Sequence, residues 1–233
     1  MRLSPSLLAL AAIVAAAAPA AAATRDFPVD SFDRVRSTGP FDVRVHTGAP
    51  ASAHATGDQA LLDRISVTVR DGELRVGGTP GGWMSGWSWG GRRPMVVEVT
   101  VPMLRAVALT GSGDLTIDRV RTRSFGAAVT GSGDLNLPMV DAGEIALTLG
   151  GSGDLTAAGR AGHARVAGHG SGDLDAGKLV AQTADVELAG SGDVTLGATS
   201  TATVTLRGSG DAAITGGARC TTIRHGSGDI RCR

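Results

Sequence analysis

Aspartate and serine recur together in the tetrapeptide Gly-Ser-Gly-Asp, which occurs seven times between residues 111 and 229. Successive copies begin 20, 20, 19, 20, 18 and 18 residues apart. Repeated carboxylates act either as acceptors for backbone N–H groups or as ligands for a hard cation such as Ca²⁺. A Ser-His-Asp triad is disfavoured, because a nucleophile is not normally repeated and no base separates Ser from Asp within one bend. The motif aspartates are Asp114, Asp134, Asp154, Asp173, Asp193, Asp211 and Asp229.

Two hypotheses account for this column of like charges. Carboxylates ~4.8 Å apart repel by roughly 1 kcal/mol in water, so the repulsion must be relieved. The first hypothesis is structural: backbone amides, serine hydroxyls and solvent satisfy the carboxylates. The alternative is a calcium ladder that bridges neighbouring motifs, although the spacing differs from that of the calcium-binding nonapeptide repeat. No other cofactor is expected.

A second candidate site lies in the Gly-rich segment 78–94, which holds all three tryptophans of the chain. Exposed indoles on such a loop form a platform that stacks on sugar rings or anchors a protein partner. The alternative is that the indoles fold over the end or the side of the domain and serve packing only. The candidate binding residues are Trp83, Trp87, Trp89, Arg92 and Arg93.

The elements that carry these residues follow from the repeat. On both sides of each motif, apolar and polar positions alternate, as in a strand with one buried face. A period of 18–20 residues therefore predicts an all-β fold, a single β-solenoid whose coils stack through the Gly-Ser-Gly-Asp bends. We expect the two glycines to supply backbone angles that bulkier residues avoid.

The upstream sequence predicts a less regular start. Residues 35–45 follow the same frame, with Asp42 at the position of the motif aspartate. Residues 67–76 form either a degenerate coil or a hairpin that turns at Asp71 and Gly72, and residues 58–65 form a short helix capped by Asp58. We therefore divide the mature chain into irregular coils with the Trp-rich loop, 24–105, and seven regular coils, 106–233.

The last coil contains the only two cysteines, Cys220 and Cys232. Cys232 falls in an inward column, and Cys220 falls nine positions before Asp229 in a second inward column. In an oxidising compartment this arrangement favours a disulfide that staples the final coil. A strand edge exposed at this coil would offer pairing with another chain, so we keep a homo-oligomer formed through it as an alternative.

Residues 1–23 have the order of a secretory signal peptide: Arg2, an apolar stretch, then small residues up to Ala23. The mature domain, 24–233, has no later segment apolar enough to span a membrane. The chain has 22 basic and 22 acidic residues, so it has no net charge to draw it toward nucleic acid. The expected location is the periplasm, the cell surface or the medium.

Four features together resemble the GIN-domain family: Phe32-Asp33-Arg34-Val35, the turn at 71–76, the strand 99–104 and the Gly-Ser-Gly-Asp ladder. The family is described as the head domain of autotransporter adhesins and has β-helix-like folds in bacterial envelope proteins. The resemblance covers residues 30–233 and implies no catalytic residues.

The leading hypothesis is an exported, non-enzymatic β-solenoid that binds a glycan or protein of the envelope or the extracellular medium, in an adhesin-like role. One alternative is a polysaccharide-active β-helix enzyme, which requires a groove with clustered carboxylates and arginine outside the regular columns. The other is a purely structural envelope protein that self-associates.

Overall fold

The computed structural model describes residues 23–79 and 95–233. The predicted signal sequence up to residue 22 and the segment 80–94, with all five candidate binding residues, lie outside these ranges. Apart from one helical turn, the regular secondary structure of the described residues consists of strands. In chain order the first elements are β1 Ala23–Phe27, β2 Arg34–Thr38, β3 Asp42–Thr47, β4 Ser52–Gly57, α1 Gln59–Leu62, β5 Ile65–Arg70, β6 Glu73–Gly78, β7 Val96–Val101, β8 Ala106–Leu109 and β9 Leu115–Ile117.

The regular coils follow, and their long strands run around most of each coil. These elements are β10 Val120–Val129, β11 Leu135–Leu149, β12 Leu155–Gly168, β13 Leu174–Leu188, β14 Val194–Leu206, β15 Ala212–Thr215, β16 Arg219–Arg224 and β17 Ile230–Cys232. Neighbouring coils pair in parallel and almost in register, as Leu135 with Leu155 and Leu149 with Gly168 show. The predicted β-solenoid is confirmed.

Each coil contributes to two sheets that meet at the bends. The sheet of strands entering the bends, which we call the pre-bend sheet, continues from β10 to the end of β14 and β16. The post-bend sheet holds β9, the first residues of β11 to β14, β15 and β17. Between the sheets, each long strand turns at a register shift, for example between Leu137 and Val140.

The N-terminal coils are stacked out of chain order. Strand β2 pairs in parallel with β6 on one side and with β8 on the other, and β3 lies in the same way between β7 and β9. The coil of β2 and β3 is therefore inserted between two coils that come later in the chain. Residues 67–76 form the antiparallel hairpin of β5 and β6, and Asp71 and Gly72 take φ values of 53° and 71° at its turn.

The interior contains the apolar columns that the alternation predicts. The column seven residues before each motif aspartate is buried at Val107, Ala127, Leu147, Val166, Val186 and Val204. Parallel stacking places each of these side chains on its counterpart in the next coil, so one continuous core runs through the stack. The described helix α1 begins after Asp58, whose side chain makes no capping hydrogen bond.

The bends pack backbone on backbone. The N–H groups of Ser132 and Gly133 both donate to the Gly111 carbonyl of the preceding coil, at 3.0 and 3.2 Å. A Cβ atom at Gly133 would lie 2.1 Å from the carbonyl oxygen of Gly113. At all fourteen motif glycines the corresponding distance to a carbonyl oxygen of the neighbouring coil is between 1.9 and 2.2 Å.

The prediction that the motif glycines supply unusual backbone angles is therefore wrong. Among the motif glycines only Gly208 has a positive φ, and at 158° it is close to extended backbone. Glycine is required because a side chain would enter the backbone of the next coil, which lies at hydrogen-bonding distance. Close approach, rather than an unusual backbone angle, selects the residue.

A pair of alanine substitutions separates close approach from the ordinary cost of losing a glycine. Gly133→Ala should lower the melting temperature strongly, with a loss of more than about 2 kcal/mol, because its methyl group overlaps the Gly113 carbonyl. Gly126→Ala in β10 is the matched control, since its Cβ would meet only Ala106 Cβ at 3.9 Å. Equal melting of the two variants by circular dichroism would contradict the packing argument.

Candidate functional site

The motif aspartates form a continuous hydrogen-bonded ladder along the bends. Oδ1 of Asp114 accepts the backbone N–H of Asp134 at 3.0 Å, and Oδ1 of Asp134 accepts that of Asp154 at 2.8 Å. The same bond repeats down to Asp229. Each motif carboxylate from Asp114 to Asp211 thus accepts a hydrogen bond from the next coil, which supports the structural hypothesis for the column.

The ladder also includes Asp42. Its Oδ1 accepts the backbone N–H of Asp114 at 3.2 Å, so the inserted coil joins the motif column although it lacks the Gly-Ser-Gly sequence. In that coil Phe41 stands at the position of the second motif glycine, and its side chain is buried. The Phe41 ring packs over Gly39 of the same coil, where a Cβ atom would lie 2.1 Å from Phe41 Cε1.

Among the described residues, only Arg231 contacts the second carboxylate oxygens of the ladder, those of Asp211 and Asp229. Within residues 23–79 and 95–233, no group of three or more His, Cys, Asp or Glu side chains has the arrangement of a metal site. The seryl side chains of the motifs are exposed beside the aspartates. The calcium ladder remains a prediction for experiment.

The segment 80–94 leaves and rejoins the solenoid at the bend column. Strand β6 pairs with β2 and β7 with β3, so the segment connects the two strands that flank the bend in the neighbouring coil. The N–H of Thr79 donates to the Arg64 carbonyl at 2.8 Å, and the Met95 carbonyl accepts the N–H of Asp42 at 3.1 Å. Met95 is itself buried. The described ends of the segment are therefore fixed at the start of the aspartate ladder.

The C-terminal coil is closed by a disulfide and an arginine. Cys220 and Cys232 are bonded, as predicted, and the bond joins β16 to β17 across the coil. Arg224 occupies a column that holds Leu188 and Leu206 in the two preceding coils. Its Nη1 donates to the Gly228 carbonyl and to Asp229 Oδ1, each at 3.3 Å. A charge at an inward position opposes edge-to-edge pairing.

Glu73 holds the N-terminal hairpin to the inserted coil. Its Oε1 accepts from Arg36 Nε at 3.1 Å and its Oε2 from Arg75 Nε at 2.7 Å, and only 12% of its side chain is exposed. Burial acts to raise the pKa of Glu73, but hydrogen bonds and charge from the two guanidinium groups outweigh it. The pKa therefore lies below the ordinary value of 4.5.

The described surface carries open depressions of about 210 to 470 Å³. One of about 440 Å³ on the pre-bend sheet includes Arg165, Asp185 and Glu187. Asp185 lies 3.5 Å from His163 and Glu187 pairs with Arg207, so both carboxylates already have charged or polar partners. This arrangement does not support the acid and base pair that the enzyme alternative requires.

Sequence reasoning did not assign three of these structural roles. Glu73 lies within an ordinary strand pattern, and only the pairing of β2 with β6 brings it to Arg36. Arg224 had a detectable signal, since it follows Leu188 and Leu206 in the same column. Asp42 was aligned with the motif aspartates but not counted in the ladder.

This geometry defines a class of protein. Its members are solenoids with parallel coils, a hydrogen-bonded ladder at the bends and closed ends. The chain belongs to the family described as "Putative auto-transporter adhesin, head GIN domain", whose model matches residues 31–218. The predicted family is thereby confirmed. No curated protein matches the sequence.

Several solved structures share the fold. A "putative adhesin" from Bacteroides fragilis NCTC 9343 is 22% identical with a TM-score of 0.84, covering 92% of this chain and 98% of that chain. A "Putative lipid binding protein" from Parabacteroides distasonis ATCC 8503 is 20% identical with a TM-score of 0.67, covering 92% and 97%. A "putative adhesin" from Parabacteroides merdae ATCC 43184 is 16% identical with a TM-score of 0.64, with the same coverage.

Membership of a family of adhesin head domains agrees with an exported or cell-surface location. In the described part of the chain, no helix is long and apolar enough to cross a membrane.

Substitution of one ladder aspartate tests its structural role. Asp154→Asn keeps an acceptor oxygen for the Asp173 N–H, so its melting temperature should stay close to that of the unmodified protein. Asp154→Ala leaves that N–H without its acceptor and should cost about 1 kcal/mol. Thermal melting with calcium and with a chelator completes the test. If calcium raises the melting temperature of the unmodified protein but not that of Asp154→Asn, the aspartates form a cation ladder instead.

The Glu73 cluster predicts a pH dependence of stability. Because the folded-state pKa of Glu73 is lowered, its stabilisation is present above about 4.5 and is lost as the pH falls through the folded-state value. The difference in unfolding free energy between the unmodified protein and Glu73→Gln should therefore be largest at neutral pH and should vanish in acid. Glu144→Gln, at an exposed position of β11, is the control and should change little at any pH. A difference that stays constant from pH 7 to pH 3 would contradict this role.

Proposed function

We propose that this protein is an exported, non-enzymatic binding protein of the cell envelope, and that the segment 80–94 makes the specific contact. The observation that carries the proposal is the attachment of this segment. It replaces a short bend in one coil, and hydrogen bonds of 2.8 and 3.1 Å fix its two ends, at Thr79 and Met95. A contact loop rooted in a packed scaffold needs little ordering of its base when it binds.

The chemistry of the segment supports a glycan or protein ligand. Three tryptophans and two arginines occur in a stretch that is otherwise Gly-rich, and these two residue types are enriched at binding hot spots. The regular coils contain no tryptophan, so the indole side chains are confined to one connection of the solenoid. The adhesin names of the family and of two of the structural relatives agree with a binding role.

The self-association alternative has less support. It requires the last coil to pair with another chain, but Thr222 and Arg224 stand where preceding coils bury valine and leucine. The disulfide holds β17 in place, and Arg224 bonds to the last bend. These features are typical of a solvated end.

The experiment compares the mature protein with a variant that carries Trp83→Ala, Trp87→Ala and Trp89→Ala. Both are tested in pull-downs from envelope fractions and on a glycan panel. The triple alanine variant should lose binding at least about tenfold, because such aromatic anchors contribute more than 1 kcal/mol each when they are central to an interface. A variant that lacks residues 82–91 should behave in the same way.

The matched control replaces the same three residues with phenylalanine, which keeps an aromatic ring at each position. It should retain more binding than the alanine variant, while circular dichroism and melting temperature stay equal for all proteins. Undiminished binding by the alanine variant would exclude the segment as the contact.

A further inference from the structure

The net charge of zero conceals a separation of charge across the solenoid. Eight aspartates line the bends, from Asp42 to Asp229. Among the described residues only Arg224 and Arg231 form ion pairs with them, and these reach no further than Asp211 and Asp229. The remaining six have no ion-pair partner among residues 23–79 and 95–233, and we call this column the acidic edge.

A surface of opposite charge lies where each coil passes from the post-bend sheet to the pre-bend sheet. Strand residues separate this surface from the bends on both sides. Strand pairing aligns Arg121 with Asp141, Asp141 with Arg160, and Arg160 with Val180. A second column begins one residue before the paired Val120 and Val140 and contains Arg119, Met139, Ala158 and Lys178. We call the exposed residues of these two columns, together with Met103, the connecting face.

The connecting face is basic. It holds four cations (Arg119, Arg121, Arg160 and Lys178) and one acid (Asp141), a net charge of +3. Asp141 lies 3.6 Å from both Arg121 and Arg160, and these arginine side chains are 80% and 77% exposed. One carboxylate cannot neutralise two guanidinium groups, so positive charge remains at the surface.

The same face holds most of the exposed large apolar side chains. In the described structure these are Met103, Met139, Val180 and Ile223, with exposures of 48, 55, 47 and 45%. Met139 and Val180 lie in the two columns, and Met103 lines one depression with Arg119 and Arg121. Only Ile223, in the last coil, lies elsewhere.

We propose that the connecting face docks on an anionic lipid surface. Exposed arginine and lysine around protruding apolar side chains match a layer of phosphate headgroups above hydrocarbon. The cations contact the phosphates, and Met103, Met139 and Val180 enter the interface. The acidic edge, which such a surface repels, and the base of the segment 80–94 then face away from the lipid.

The charge pattern also argues against a second copy of the chain as the occupant. The acidic edge of another molecule would complement the cations, but its bends present Gly, Ser and Asp. It offers no apolar surface for the methionines and valine. A lipid surface accounts for both kinds of side chain.

The test measures cosedimentation of the mature protein with phosphatidylglycerol–phosphatidylcholine vesicles and with pure phosphatidylcholine vesicles. Binding should require the anionic lipid and weaken as salt increases. The variant R121Q/R160Q/K178Q should lower the partition coefficient at least about tenfold. The variant R44Q/R70Q/R207Q removes the same charge from other faces and should bind nearly as well as the unmodified protein.

A second pair of variants tests the apolar contribution. Replacing Met139 and Val180 with serine should weaken vesicle binding severalfold, whereas Ile223→Ser should not. Absence of binding to anionic vesicles, or equal losses in both charge variants, would overturn the proposal. Unchanged binding by the Met139 and Val180 variant would indicate a polyanion of another kind. Self-association by light scattering that is lost in R121Q/R160Q/K178Q would assign the face to a second copy.

Discussion

The structure depends on the close approach of the bends. A backbone turn stacks directly on the turn of the preceding coil, and the space between them admits hydrogen atoms only, as the 1.9–2.2 Å distances at the motif glycines show. This contact sets the register between neighbouring regular coils, because the Ser and Gly N–H groups of one bend bond to a single carbonyl of the preceding bend. The register in turn places each carboxylate where it accepts the backbone N–H of the aspartate in the next coil. The ladder and the continuous apolar columns are consequences of that one backbone contact.

The repeat allowed much of this fold to be predicted, because its columns are local: apolar alternation around a motif predicts a strand and its buried face without knowledge of distant residues. The disulfide was predictable for the same reason, since both cysteines lie in inward columns of one coil.

The insertion of β2 and β3 between later coils was not predictable, because it depends on pairings such as Arg34 with Glu73 and with Ala106. The role of the glycines was misjudged because sequence alone does not distinguish an unusual φ from a missing Cβ. The segment 80–94 was identified from composition, but its attachment to the bend column follows only from the pairing of β6 and β7.

Stacking also determines how charge is distributed. In a globular domain, residues 20 positions apart occupy unrelated places, but in this solenoid they lie one above another. A charge that recurs in one column is therefore concentrated on one edge, as the aspartates are, and its balancing charges collect in other columns. Arg121 and Arg160 illustrate this on the connecting face, where they lie on either side of Asp141. Zero net charge in the whole chain is thus compatible with strong local fields of either sign.

The two ends of the described solenoid are closed in different ways, and the difference bears on function. At the N-terminal end, the hairpin β5–β6 and the antiparallel strands β1 and β4 cover the coil of β6 and β7, and Glu73 ties that coil to the next through Arg36. At the C-terminal end, Arg224 and a disulfide close the last coil with no additional strand. Both ends of the described solenoid are closed, and both surfaces that we propose for recognition lie on its sides: the bend edge where segment 80–94 is attached, and the connecting face. In our two proposals the bend edge contacts the ligand and the connecting face contacts the lipid, and their separation on the solenoid allows both contacts at once.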